Sequence, residues 1–324
     1  MKDLLILHIG AGNHNESLNK KYATLIKKAL SKNSLIDAAE VLENSALTNT
    51  GFGSSLNMLG KVEIDASFIS YTADGSEENK PSVKMGSLTG LKCRNPTEEM
   101  ARIFSEIDQQ YGQLDGLVAP ISLNCTSLKN YMDINEDDDD DLISIKSYNT
   151  FNAYKKDATS NIKEQEVSDT IGLIQINDTE VAMVTSSGGN YFKLPGRIGC
   201  AGVMGAAISF KEEQDYMICC MCSGNGEQII RDHLATSIIE VFDTSEKSNY
   251  GQYLEKVLFE TDPKFYIGFV VVFKRYDEST ATLVYGHSTE SFYFGYKVGG
   301  DSRAILSFRE KKGCFTFGEY LIQL

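Results

Sequence analysis

The sequence predicts an α+β fold in which antiparallel sheets are covered by layers of helices. Three observations carry that reading. Strand-like runs dominate the chain, helical periodicities fall between groups of strands instead of alternating with them one for one, and a single acidic stretch poor in large apolar residues divides the whole. With 324 residues, 42% of them apolar and 10% aromatic, the chain can fill the core of one large layered domain.

Residues 4–8 form a short apolar strand that ends in Gly10-Ala11-Gly12. Helical spacing follows over 18–30 and 35–43. Asn49-Thr50-Gly51-Phe52-Gly53 is too rich in glycine for a helix and reads as a turn. Val62, Ile64, Ala66 and Phe68 alternate with Glu63, Asp65 and Ser67, the pattern of a strand with one covered face. Residues 86–91 read as another strand. Pro96, with Glu98 and Glu99 close behind, opens a helix. Glu136 and Asp137 to Asp141 are six consecutive acids, so residues 136–168 read as a solvated, flexible connector with a sticky patch at 142–145.

Order returns at Asp169-Thr170. Residues 171–176 and 181–184 are strands around the turn Asn177-Asp178-Thr179. Strand-like runs at 201–210 and 216–222 precede helices at 227–241 and 250–260. The end is strand-rich, at 266–273, 281–285, 291–296 and 304–308. No repeat of 20–50 residues interrupts this order.

Charge and composition remove several classes. Forty-five acidic residues oppose 31 basic ones, a balance of -14 that repels phosphate backbones, so nucleic acid is not an expected partner. No apolar run reaches the length of a membrane span, and the N-terminal stretch is broken too early by His8 and Gly10 for a secretory signal. Seven cysteines in that setting are expected to be free thiols in a reducing compartment, cytosol or nucleus. Cys219, Cys220 and Cys222 read as small buried thiols, since adjacent strand residues face opposite ways, and the acidic run as a solvated linker, so no metal site is expected. His8, His14 and His287 read as structural hydrogen-bonding groups.

A threonine hydroxyl is a weak nucleophile unless a base stands beside it. Its own α-amine, with a free pKa near ~7.7, can serve, but only after the bond preceding the threonine is cut. Thr170, at the mouth of a strand and directly after the connector, is a candidate for that chemistry, the alternative being that Asp169-Thr170 is only a strand start. Ser186-Ser187-Gly188-Gly189 follows the paired strand, and Ser223-Gly224-Asn225-Gly226-Glu227 is a Gly-rich turn that begins a helix, so its backbone N–H groups can face developing negative charge. Arg197, between Gly196 and Gly199, suits a carboxylate.

Taken in order, these segments resemble the N-terminal-nucleophile family of plant-type asparaginases, and within it the endopeptidase branch, the threonine aspartases. The resemblance also covers the segment from His8 to His14, the segment from Leu47 to Asn57, the segment from Gly60 to Ser67, Asp169-Thr170-Ile171-Gly172 and His287-Ser288-Thr289-Glu290-Ser291. It implies a four-layer αββα sandwich, cleaved by the protein itself between Asp169 and Thr170 into an α subunit (1–169) and a β subunit (170–324) of one composite domain. It implies Thr170 as nucleophile, Ser187 as a second hydroxyl at it, Ser223 and Gly224 as the oxyanion-hole pair, and Arg197 and Gly226 as substrate contacts. Asn49, Gly51 and Gly53 are then supports near the site. A dimer of αβ pairs is implied, and some members hold a monovalent cation through backbone carbonyls.

One departure bears on substrate. Asparaginases of the family carry aspartate three residues after the arginine, where it pairs with the substrate ammonium; here that residue is Cys200. A neutral thiol cannot compensate a buried ammonium. The expectation is therefore a threonine endopeptidase that cuts protein or peptide substrates after aspartate. An L-asparaginase or β-aspartyl peptidase, and a non-catalytic member acting through protein interaction, are the alternatives.

Overall fold

Strand β1 (Leu4–Gly12) is buried at every position, which requires cover on both of its faces. The computed structural model, which describes residues 2–73, 81–111, 116–157, 170–244, 250–256, 264–311 and 314–324, supplies that cover as a four-layer αββα sandwich. The first sheet has eight strands in the order β12-β11-β1-β5-β6-β2-β3-β4, where β2 is Ile64–Thr72, β3 Ser82–Leu91, β4 Ser122–Asn124, β5 Ile171–Ile176, β6 Glu180–Ser187, β11 Ser291–Val298 and β12 Asp301–Phe308. The second has five in the order β13-β10-β9-β8-β7, with β7 Ile208–Glu212, β8 Tyr216–Gly224, β9 Ile267–Arg275, β10 Thr280–His287 and β13 Thr316–Gln323. All pairings are antiparallel except β3 with the short β4.

Period-two alternation divides each inner strand between two cores. On β1, Leu5, Leu7 and Ile9 face helices α1 (Asn19–Leu30), α2 (Leu35–Glu43) and α3 (Pro96–Tyr111), while Leu4 and Ile6 face the other sheet. On β8, Met217, Cys219 and Met221 fill the space between the sheets. Ile218, Cys220 and Cys222 lie under α7 (Gly226–Arg231) and α8 (Leu234–Thr244). The thiols are thus buried and free, on opposite faces as adjacent strand residues must be.

Several expectations are corrected. The connector is not structureless as far as it is described: α5 (Asp139–Leu142) and α6 (Ile145–Asp157) follow a short α4 (Cys125–Leu128). Its acids have partners elsewhere in the chain. Asp139 pairs with Lys61 and Lys92, Asp137 accepts from the Arg94 N–H at 2.6 Å, and Leu142 is fully buried. Residues 158–169, the rest of that stretch, lie outside the described residues. The run 201–210 is a strand only from Ile208, because Cys200–Gly202 closes into a 3-10 turn. The helix 227–241 is broken at Asp232-His233, where His233 has φ 44°. Of the helix 250–260, α9 (Tyr250–Leu254) is described. Strands β4 and β13 had no counterpart in the sequence reading. Asp65 and Ser67 are buried, so β2 is covered on both faces there. Among the described residues no helix is long and apolar enough to cross a membrane.

Candidate active site

Thr170 immediately precedes β5, and only 2% of it is exposed. Its position follows from strand pairing: Ile171 lies opposite Ser186, so the next residue of β6, Ser187, comes level with Thr170. The Thr170 hydroxyl donates to Ser187 Oγ at 3.2 Å. In the continuous chain the Thr170 N–H reaches Ser223 Oγ at 3.3 Å, and that oxygen also accepts from Ala11 N at 3.1 Å. Ser223 and Gly224 end β8. Gly224 has φ 128°, and a Cβ there would run into the Tyr266 carbonyl, so only glycine fits. Asn225 then caps α7, accepting from the N–H groups of Glu227 and Gln228.

A narrow cleft is lined by Thr170, Ser187, Arg197, Cys200, Gly224 and Gly226, with Gly189, Asn190 and Gly199 completing it. Three of its glycines make room for one side chain. A Cβ on Gly189 or Gly199 would stand 2.7 Å from Arg197 Nη1, and one on Gly226 would stand 2.8 Å from Nη2. On the other edge of the guanidinium, Glu227 Oε1 lies 2.9 Å from Nε and 2.8 Å from Nη2. A larger cavity of about 500 Å³ opens at the far end of β5 and β6, among Tyr71, Glu212, Lys274 and Tyr276, away from Thr170.

Of the expected supports, Asn49 reaches the cleft. Its Nδ2 donates to the Gly189 carbonyl at 2.8 Å, and its own carbonyl accepts from Gly188 N at 2.7 Å. Gly51 and Gly53 pack instead against backbone carbonyls of Glu43, Arg94, Ser45 and Thr48, and do not line the cleft. Asp169, the other half of the expected cleavage site, lies outside the described residues.

Burial pushes the Cys200 thiol up to about 11, against the opposing pull of Arg197 and the Thr170 hydroxyl, so it is a neutral group in the cleft. His14 and His287 hydrogen-bond as expected, to Ser291 Oγ at 2.7 Å and to Ser307 Oγ at 2.8 Å. The His8 ring is fully buried beside Gly172 and meets the Thr170 backbone, though neither nitrogen makes a well-aligned hydrogen bond among the described residues. Burial pulls its pKa down to about 3, so the ring is neutral.

Sequence reasoning missed the charged layer behind the cleft. Asp65 Oδ2 accepts from Gly199 N at 2.6 Å, anchoring the turn between Arg197 and Cys200. Burial pushes its carboxyl up, while Lys193, the Gly199 N–H and Arg197 oppose that shift. Lys193, only 5% exposed, donates to the Glu63 carbonyl and to that of Gly188, the latter at 2.7 Å. An acidic residue inside an alternating strand, and a lysine after two aromatics, give no local sign of burial.

Hydroxyls, backbone N–H groups and a guanidinium in one cleft can support acyl transfer to a hydroxyl on a substrate that carries a carboxylate. The profile of the Asparaginase family matches residues 11–300 of this chain. The isoaspartyl peptidase/L-asparaginase of Xenopus laevis is 26% identical over 253 residues, 74% of this chain and 75% of that protein. The plant-type L-asparaginase of Pyrococcus horikoshii is 25% identical over 317 residues, 91% and 96% of the two chains. The isoaspartyl peptidase/L-asparaginase of Mus musculus is 26% identical over 253 residues, 72% and 70%.

Proposed function

This chain belongs to the asparaginase family of threonine-nucleophile hydrolases, and from that premise we propose that it matures by cutting its own Asp169–Thr170 bond and then hydrolyses amides of asparaginyl or isoaspartyl compounds. The observation that carries this reading is the contact of Thr170 Oγ1 with Ser187 in a cleft whose other wall presents Arg197. In maturation, Oγ1 attacks the Asp169 carbonyl carbon and the C–N bond breaks, moving the acyl group from nitrogen to oxygen. Water then hydrolyses the ester and leaves a free α-amine on Thr170. That amine, with a pKa of ~7.7 when unperturbed, takes the Oγ1 proton in later turnovers.

In turnover, Arg197 holds the substrate carboxylate through two parallel hydrogen bonds. Thr170 Oγ1 adds to the amide carbonyl. The oxyanion is met by the Gly224 N–H and the Ser223 hydroxyl, the protonated amine gives its proton to the departing nitrogen, and water releases the acyl group from the ester. Ser187, in contact with Oγ1, orients the hydroxyl.

A second reading has a specific observation in its favour. Cys200 is neutral where an ammonium partner is expected, which suits an internal aspartate whose nitrogen is an uncharged amide. On that reading Arg197 holds an aspartate side chain, and the main-chain bond after it is cut.

The test begins with intact mass. Wild type is expected as fragments of 169 and 155 residues, and Thr170→Ala as one chain of 324. The matured protein is then given L-asparagine, an isoaspartyl dipeptide and an N-acetylated peptide with an internal aspartate, side by side. Turnover of the first two supports the proposal, and turnover of the third alone promotes the second reading. Efficient scission of Thr170→Ala would remove Thr170 from both.

A further inference from the structure

Strand β1 reaches both halves of the reacting group. Its pairing with β11 shifts register between His8 and Ala11, where Gly10 has φ 115°. Past that bulge, Ala11 N donates to Ser223 Oγ at 3.1 Å, the oxygen that the Thr170 N–H also reaches at 3.3 Å. Ahead of it, His8 lies opposite Gly172 on β5, two residues beyond Thr170. A Cβ on Gly172 would stand 2.4 Å from His8 Nε2 and 2.9 Å from Cδ2, so any side chain there would displace the imidazole. Glycine at 172 makes the room for this ring, and the Phe292 ring, with centroids 5.7 Å apart, packs against it.

A fully buried neutral imidazole carries one N–H, which is costly to hold out of water without an acceptor. The polar neighbour that favours a proton on this ring is the Thr170 backbone. A backbone N–H would disfavour that proton, so the group concerned is the Thr170 carbonyl. We propose that His8 is a positioning residue: its ring N–H, seated in the space left by Gly172, tethers the Thr170 carbonyl, while Ala11 of the same strand fixes Ser223 Oγ. Nucleophile and oxyanion donor are then both referenced to β1. The tether matters most after scission, when Thr170 becomes a chain end, because ends fray unless they are tied down. The carbonyl lies on the side of the residue that scission leaves intact. Without the ring N–H, the new terminus can drift from Ser187, and a small displacement of a nucleophile is expensive in rate.

The role rests on the hydrolase reading; the contact between ring and carbonyl does not, and each has its own measurement. The uncleaved Thr170→Ala chain keeps the carbonyl of residue 170. Nitrogen NMR of its imidazoles at neutral pH, with His8 assigned by its loss in a His8 variant, should show one ring nitrogen protonated and the other bare, because a hydrogen bond fixes the tautomer. A His8 ring that averages its two tautomers overturns the proposal whatever the enzyme does. In the matured protein, His8→Phe keeps a planar ring and removes the N–H, and is expected to lose about tenfold or more in kcat with KM little changed. His8→Asn and His8→Gln put an amide N–H near the places of Nδ1 and Nε2, and one of the two should keep kcat within about threefold of wild type. A folded His8→Phe with wild-type kcat, or equal losses in all three variants, overturns the proposal. Should His8→Phe not fold, one amide variant at wild-type kcat with the other at least about tenfold down supports the tether, and equal kcat in both overturns it. A wild type that neither cuts itself nor turns over a substrate removes the hydrolase reading and the positioning role with it, while the tautomer still reports the tether.

Discussion

Gly226→Ala separates the fit of Arg197 from the stability of the fold. The new Cβ would lie 2.8 Å from Arg197 Nη2, closer than such contacts allow, and 3.8 Å from Cζ and from Cys200 N. Gly226 is the first residue of α7 and does not have left-handed backbone, so alanine meets no strain there and gains up to about 1 kcal/mol in helix propensity. What yields is the far end of a flexible side chain. Swinging the guanidinium out of the cleft forfeits a charged hydrogen-bonding site worth about 1.5–3 kcal/mol, which converts to roughly a 10- to 150-fold fall in kcat/KM. Most of it should appear in KM, since the carboxylate is bound before chemistry begins. Tm should stay within about 2 °C of wild type. Gly196→Ala is the counterpart: Gly196 has φ 80° with no atom within 4 Å of its missing Cβ, so strain without a clash should lower Tm and leave KM alone. The assay is steady-state hydrolysis of whichever substrate the matured wild type turns over, with a melt of each variant. If Gly226→Ala keeps wild-type kcat/KM while folding normally, Arg197 does not hold the substrate carboxylate.

Two further outcomes are expected. Cys200→Asp should shift turnover toward substrates with a free α-ammonium, read as the ratio of kcat/KM for an isoaspartyl dipeptide to that for its N-acetyl form; an unchanged ratio would show that residue 200 does not face the substrate nitrogen. Glu43 is buried where α2 meets the start of α3, accepting from Thr97 N–H, Thr97 Oγ1 and Ser186 Oγ, and burial raises its pKa from 4.5 to about 7. Because the folded state binds the proton more tightly, its contribution is complete below about pH 4.5 and lost as pH rises through about 7, a slope totalling about 3 kcal/mol that urea unfolding of Thr170→Ala should show and Glu43→Gln in that chain should lack.

The sequence made Thr170, Ser187, Ser223, Arg197 and Gly226 legible because their chemistry is written in short range: hydroxyls beside glycines, and an arginine between them. Strand periodicity likewise located β1, β5, β8 and the C-terminal strands, since burial on a strand repeats every two residues. What stayed hidden depends on segments far apart in the chain. Asp65 sits in an alternating run that ordinarily faces water, and is buried because the Gly199–Gly202 turn covers it from more than a hundred residues away. The acids of residues 136–141 repel one another locally, yet Lys61 and Lys92 wait for Asp139 on an earlier part of the chain. The break between α7 and α8 is a backbone event at His233, a residue type that takes positive φ more often than most side chains but is not marked by a glycine or proline.

The charges around the cleft bear on which substrate nitrogen it accepts. Lys193 is answered by Asp65 and Glu63, Arg197 by Glu227, and Cys200 adds nothing, its thiol being held neutral. A substrate carboxylate arriving at the guanidinium edge that Gly189 and Gly199 leave open therefore adds a negative charge to a set in which the carboxylates already match or outnumber the cations. A free amino acid brings an ammonium with it. The pocket wall at residue 200 gives that ammonium nothing, but Glu227, with 61% of its side chain exposed, stands on the adjoining edge of the same guanidinium. A zwitterion can then be met by Arg197 and Glu227 as a pair of opposite charges. An acylated nitrogen needs only Arg197. On the proposed reading the distinction between the two substrate classes falls on one exposed carboxylate next to Gly226 instead of on a buried one beside Thr170. Exposed charge pairs are weak compared with buried ones. A cleft arranged in this way discriminates against an acylated nitrogen less sharply than one with aspartate at residue 200, and the two classes should differ in kcat/KM by a modest factor and not by exclusion.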